Sequence, residues 1–218
     1  DRIIINQYIG DTATGLYSFA YNVGMIINVL THALDQAWTP WSYEMMEEGK
    51  LKAIKERGNT YRNIYTVAYA VLLFISPEII RVMAGAIYWD ALAIIPYIFA
   101  GYYFSYMYTL EVKTEFFYKK THLISIGTVL SALINITLNL LFLPKYGYVA
   151  AAITTSISYF FLFIFHYLTT SRIIKVSIYG HKFHLKSIFY MVGITTFYML
   201  FEGILLIRLI GVGTVIRG

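Results

Sequence analysis

Between Thr14 and Thr39 eight polar side chains recur on one side at helical spacing. At 100° of turn per residue, Thr14, Ser18, Asn22, Asn28, His32, Asp35, Gln36 and Thr39 fall within one arc of roughly 140°. Met25 and Val29 interrupt the arc, and the opposite face, from Leu16 through Val23, Ile27, Leu30 and Leu34 to Trp38, has no polar side chain. Amides, hydroxyls, an imidazole and a carboxylate on one face can hydrogen-bond a polar ligand or a file of water. His32 adds an imidazole, a side-chain type that can carry a proton. A satisfied structural histidine is the plainer reading of His32.

A second stripe, Thr128, Ser131, Asn135 and Asn139, again lies on one face. Small polar residues at this spacing are common where two helices pack, which is the plainer reading here. Tyr97, Tyr102, Tyr103, Tyr106 and Tyr108 crowd a third segment. Their rings can stack on sugars, or fill a core or a membrane interface.

Nothing in the sequence points to an enzyme. It has no HExxH, no GxSxG and no Cys. Gly10-Asp11-Thr12-Ala13-Thr14-Gly15 has the outline of a phosphate loop, but Leu16-Tyr17 stand where Lys-Ser/Thr is needed. No catalytic residue, metal ligand or cofactor is assigned.

The elements that hold these stripes follow from composition. Of 218 residues 58% are hydrophobic and 13% charged, and mean hydropathy is +0.61. A soluble domain carries about 25% charged residues, so most of this surface faces something other than water. A spanning helix needs about 20 apolar residues. Six segments qualify, approximately 14–42, 63–84, 91–111, 122–143, 148–170 and 187–210. The reading is an all-α, polytopic transmembrane bundle in a single domain over 1–218. In that setting the polar arc of 14–42 has two readings. It lines a cavity, where costly ionisable groups gather, or it hydrogen-bonds neighbouring helices.

Charge placement orients the bundle. The net charge is +5. Twelve of the 17 Lys and Arg fall in 47–62, 112–121 and 171–186, which alternate with basic-poor links. The rule that basic loops stay inside places these three in the cytoplasm, so the charge implies no nucleic acid. Glu111, Lys113 and Glu115 to Lys120 read as a solvated junction. Pro144-Lys145-Tyr146-Gly147 reads as an outer hairpin between two spans. Trp38, Trp41 and Trp89 fall at belt positions.

In order and spacing the sequence resembles bacterial polysaccharide flippases, the O-antigen (Wzx-type) branch of the MOP exporter superfamily. The matching residues are Asp1-Arg2-Ile3-Ile4, Gly15-Leu16-Tyr17-Ser18, Pro40, Ser76-Pro77-Glu78, Tyr118-Lys119-Lys120-Thr121, Asn135 to Asn139, and Pro144-Lys145-Tyr146-Gly147 through Ala151. Val149 stands where the family often has Gly. The resemblance covers about 1–170 and implies the C-terminal lobe of a two-lobed transporter, with an N-terminal lobe of the same protein as partner. The implied cargo is an undecaprenyl-diphosphate-linked oligosaccharide, moved across the bacterial inner membrane for surface polysaccharide synthesis. Arg2, Ser18, Asn22, Asn28, His32, Asp35, Gln36, Asn135 and Asn139 are then the expected cavity residues. Arg2 would neutralise a diphosphate or sugar acid, or pair with Asp1. The alternatives are a small-molecule antiporter of the same superfamily, with Asp35 as its buried acid, or a membrane-embedded glycan polymerase or acyltransferase.

The orientation can be tested with single cysteines, because the chain has none of its own. An impermeant thiol reagent on intact cells is expected to label Lys145→Cys and spare Lys55→Cys. The reverse pattern reverses the topology.

Overall fold

The computed structural model describes residues 1–201, and among them every regular element is helical. In chain order these are α1 (Arg2–Tyr8), α2 (Asp11–Glu47), α3 (Leu51–Met83), a 3₁₀ segment (Ala86–Ile94), α4 (Ile95–Phe117), α5 (Thr121–Leu168), a π-helical segment (Thr169–Ile174) and α6 (Gly180–Phe201). The expected segment 187–210 lies outside the described residues beyond 201.

The helices run further than apolarity alone predicts. α2 continues to Glu47 and α3 begins at Leu51, so the expected basic link 47–62 shrinks to Glu48–Lys50. Gly49 takes φ +71 there, the left-handed conformation that ends a helix. Its N–H donates to Met46 O, and that of Lys50 to Met45 O. Lys52, Lys55, Arg57 and Arg62 therefore ride on α3 instead of on a loop. α4 likewise runs through Phe117.

The hairpin expected at 144–147 narrows to a single residue. Helical conformation persists through Pro144, Lys145 and Tyr146, and the chain reverses at Gly147 (φ +70, ψ −163). Proline in a helix loses its own N–H bond and crowds the carbonyl one turn back, which bends the chain without reversing it, whereas the reversal needs a positive φ that glycine adopts freely. The two arms of α5 then lie antiparallel. Ser131 Oγ donates to Ser158 O (2.9 Å), Asn135 Nδ2 to Thr155 Oγ1 (3.2 Å), and Thr154 Oγ1 to Asn139 Oδ1 (2.6 Å). Gly127 begins this i, i+4 seam. A Cβ there would meet Phe165 at 2.7 Å.

Among the described residues two helices, α3 and the stretch Thr121–Ile174, are long and apolar enough to cross a membrane. The second of these contains both arms of the hairpin. α2 and α4 carry the amides and tyrosines that lower mean hydropathy. The outward face of the first arm of α5 is strongly apolar. Val129, Leu133 and Leu141 are exposed there by 58%, 56% and 66%.

α4 is the hub, packed against α2, α3, α5 and α6. Tyr102, Tyr103 and Tyr106 are buried in it, with Met107 and Leu110. Tyr106 stacks on Tyr65 at 3.8 Å, and Tyr103 meets Tyr69 edge-on at 5.0 Å. Tyr103 and Tyr106 are therefore core, not a sugar platform, and Tyr102, though buried, borders a cavity. Of the five crowded tyrosines, Tyr97 and Tyr108 keep partial exposure. The α2–α4 crossing is close at Gly24, where a Cβ would lie 2.5 Å from Ile98 Cγ2 and 3.1 Å from the Tyr102 ring. A β-branched methyl backed by a buried ring has little room to retreat. Gly24→Ala is therefore expected to destabilise the protein by about 1–3 kcal/mol, read as a lowered melting temperature of the purified protein in detergent. An unchanged melt argues against this helix crossing.

Candidate functional site: a polar tract on α2, α4 and α5

Two adjoining cavities of about 330 Å³ each run along one side of the bundle. Tyr21, Tyr108 and Tyr159 line both. The first is bounded by Asn28, Thr31, His32 and Asp35 of α2 and by Ser105 and Thr109 of α4. The second is bounded by Asp1, by Thr128, Ser131 and Asn135 of the first arm of α5, and by Thr155 and Ser158 of the second. The two polar stripes of the sequence thus meet along one tract. Helical period explains each contribution. Asn28, Thr31, His32 and Asp35 are spaced by three or four residues, as are Ser105, Tyr108 and Thr109.

The expected site residues divide by position. Asn28, His32, Asp35 and Asn135 border the cavities. Asn22, His32 and Gln36 are exposed on α2, and Ser18 is half-buried. The apolar residues behind them, Val23 and Ile27, are buried at 4% and 0% exposure. Ile26, Ala33 and Ala37, however, are exposed, so the apolar face of α2 is only partly covered.

Asn139 stands apart. It is fully buried in the α5 seam. Its Nδ2 donates to Asp1 Oδ1 (2.6 Å) and to Asn135 Oδ1 (3.1 Å). Its carbonyl accepts from Thr154. It holds helices together and does not border the cavity. Arg2 does not pair with Asp1 either. The Asp1 carboxylate accepts from Tyr17, Thr155 and Asn139 at 2.6–2.7 Å. Arg2 is exposed, with its guanidinium 5.7 Å from the centre of the Tyr21 ring.

The expected solvated junction divides: Lys119 and Lys120 are exposed, but its first part, on α4, is dry. Glu111, Lys113 and Glu115 are exposed by only 2%, 4% and 0%. Glu111 and Glu115, one turn apart, face α5, the π-helical segment and α6. Glu111 accepts from Thr170 Oγ1 (2.5 Å) and lies 2.7 Å from His184 Nε2. Glu115 lies 2.8 Å from His166 Nδ1. Lys113 points the other way and makes an ion pair with Asp35. Asp35 is thus a cavity residue tied to a buried cation. Among the described residues no three His, Asp or Glu side chains gather as a metal site.

Sequence reasoning missed Asp1 as a network centre, Tyr21 and Tyr159 as walls, and His166 and His184 as carboxylate partners. Only the Glu111/Glu115 spacing carried a usable signal. Two carboxylates at i, i+4 repel unless each has its own partner.

No family model and no solved structure matches the chain. It is 27% identical over 143 residues to "Lsg locus putative protein 1" of Haemophilus influenzae, covering 62% of this chain and 34% of that protein. The chain spans about a third of the length of this curated relative.

The Asp35–Lys113 pair separates cavity chemistry from stability. Asp35→Ala leaves a buried ammonium without its carboxylate and is expected to cost about 2 kcal/mol, below the usual range for a broken buried pair because Asp35 is partly exposed. The double change Asp35→Asn with Lys113→Met is expected to recover most of the loss. His32→Ala should leave the melt unchanged, since the ring is exposed. Equal melts for all three variants would remove the pair from the account.

Proposed function

We propose that this chain is one lobe of a membrane transporter, and that the polar tract on α2, α4 and α5 forms one wall of its passage. In this reading six segments cross the bacterial inner membrane: α2, α3, α4, the two arms of α5, and α6. The cargo is an undecaprenyl-diphosphate-linked oligosaccharide destined for surface polysaccharide, and a second lobe of the same protein supplies the facing wall.

One observation carries the reading. Amides, hydroxyls and an imidazole from four helical segments converge on one side of a bundle whose neighbouring surfaces are apolar. A hydrated glycan cannot enter hydrocarbon without losing its hydrogen bonds, at several kcal/mol for each unsatisfied polar group. A wall of Asn28, Ser105, Thr109, Ser131 and Ser158 offers replacements, while the exposed leucines and valines of α5 suit acyl chains. Tyr21, Tyr108 and Tyr159 present amphipathic rings where the two cavities join, a surface on which sugar rings can stack. The family resemblance names the cargo. The similarity to part of a longer curated protein is compatible with a lobe.

A small-molecule antiporter is the second reading, and the Asp35–Lys113 pair favours it. A carboxylate that exchanges its ammonium partner for a proton would couple proton movement to transport. The two readings differ in cargo, not in architecture.

The test is complementation. In a strain lacking its flippase, the full-length protein is expected to restore surface polysaccharide, and residues 1–218 alone are not. Asn28→Leu with Ser105→Ala should reduce export roughly tenfold, the effect of one or two lost polar contacts, at unchanged protein level. Normal export by this variant, or rescue by the lobe alone, would sink the proposal.

A further inference from the structure

The polar tract is rich in hydrogen-bonding groups and poor in cations. Among the described residues no Lys or Arg lines either cavity. The lining acids are Asp35 in the first and Asp1 in the second. Asp35 is matched by its ion pair with Lys113, whose ammonium also donates to Thr109 O (3.2 Å). Lys113 is thus engaged within the bundle and is not free for an anionic ligand. His32 is the basic side chain of the first cavity, and the second has none.

Asp1 has no such match. Its Oδ1 accepts from Asn139 (2.6 Å), and its Oδ2 from Tyr17 (2.7 Å) and Thr155 (2.7 Å). An amide and two hydroxyls satisfy the oxygens without cancelling the charge. Among the described residues no Lys, Arg or His side chain forms an ion pair with it. Arg2, the next residue, is exposed with its guanidinium 5.7 Å from the centre of the Tyr21 ring, and it borders neither cavity. The second cavity therefore sets one retained negative charge among the neutral groups of Thr128, Ser131, Asn135 and Ser158.

We propose that the polar tract selects uncharged sugars and that Asp1 is the residue that rejects acidic ones. The inference rests on the proposed function and names the chemistry of its cargo. The sugars that meet this lobe carry hydroxyl and acetamido groups and no carboxylate, phosphate or sulfate, and the diphosphate of the carrier is held away from the tract. Two arguments carry this. Hydroxyls and amides both donate and accept, so the lining can pair with every polar group of a neutral sugar. An acidic sugar finds no cation to bind and one like charge to oppose it. Selectivity of this kind comes from the repulsive element as much as from the attractive ones. Across a cavity of about 330 Å³ a ligand carboxylate lies within about 8 Å of Asp1, and repulsion at that separation in a partly screened site weakens binding about tenfold. Asp35 adds nothing to this filter, because Lys113 balances it.

Binding and export are read separately. The full-length protein in detergent is titrated calorimetrically with two soluble probes of equal length. One is chitotetraose, which is uncharged, and the other a hyaluronan tetrasaccharide, in which every second sugar is a uronic acid. Chitotetraose is expected to bind about tenfold more tightly. Asp1→Asn, which keeps the shape and removes the charge, should bring the two affinities together. Thr128→Lys places a cation in the second cavity, at an exposed position whose hydroxyl bonds only Ile124 O of its own helix (2.9 Å). It should reverse the preference, and it decides the matter if Asp1→Asn does not fold. Asp35→Asn with Lys113→Met removes no net charge and should leave the preference unchanged. Equal binding of both probes, binding of neither, or a preference that neither Asp1→Asn nor Thr128→Lys moves overturns the inference. Export is then read in two flippase-null hosts, one whose surface glycan is neutral and one whose glycan contains a uronic acid, with rescue expected in the first alone. Rescue of the second by the unaltered protein overturns the selectivity and leaves the transporter reading standing. Rescue of neither host, with the binding preference intact, overturns transport and leaves the selectivity of the tract.

Discussion

Burial of the end of α4 is the constraint on which the rest of the fold depends. From Leu110 to Glu115 every side chain is buried, so this stretch has no solvent side on which to place charge. It nevertheless carries Glu111, Lys113 and Glu115. A charge moved from water to a dry interior costs several kcal/mol unless it is paired and hydrogen-bonded. Each of the three must therefore find its own partner, and the helical period sends them in different directions. The carboxylates meet His184, Thr170 and His166 on the later helices, and the ammonium meets Asp35 on α2. The pairs thus fix α2, α5 and α6 around α4 at one end. At the other end Asp1 does the equivalent work for α1, α2 and both arms of α5.

Between these two polar clamps the packing is aromatic. Tyr65, Tyr69, Tyr103 and Tyr106 form a connected set of stacked and edge-on contacts at 3.8–5.9 Å. Tyrosine is suited to a bundle that is dry on one side and polar on the other. The ring fills a core, and the hydroxyl can reach a threonine, as in Thr66–Tyr103 (2.8 Å) and Tyr69–Thr195 (2.6 Å). The same residue type lines the polar tract. Tyr108 stacks on His166 at 5.7 Å while also bordering both cavities. The tyrosine count of the sequence therefore has two causes, and the larger one is structural.

The all-helical class and most segment positions were legible because apolar runs and polar breaks are local signals. The reversal near 147 was visible for the same reason, although Gly147 performs it without the three residues before it. Helix ends were not legible. Lys52, Lys55 and Arg57 look like a loop by composition, and α3 carries them because its buried face, Ile54, Gly58 and Tyr61, continues the packing two turns below the apolar run. Charge burial was the larger miss. Glu111, Lys113 and Glu115 read as solvated in one dimension. Their partners His166 and His184 lie 51 and 73 residues away, at separations no window along the chain connects.

The two polar stripes show why residue type alone could not assign a role. Ser131, Asn135 and Asn139 have the same chemistry as Ser18, Asn22 and Asn28. What differs is the surface opposite. The second arm of α5 presents Thr154, Thr155 and Ser158, small enough for close approach and able to return each hydrogen bond. Asn139, deepest in that seam, has both amide hydrogens and its side-chain oxygen engaged and becomes structural. Asn135 and Ser131 sit toward its edge and keep one side on the cavity. Opposite Asn28 and His32 stand Tyr102 and Tyr108, whose bulky rings flank Ser105 and hold the helices apart, so space remains. A polar stripe becomes a seam when its partner helix is small and reciprocal, and a cavity wall when its partner is aromatic. α2 separates two environments of its own: one flank borders the polar tract, and the other, with Ile26 and Leu30, borders an apolar groove against α3.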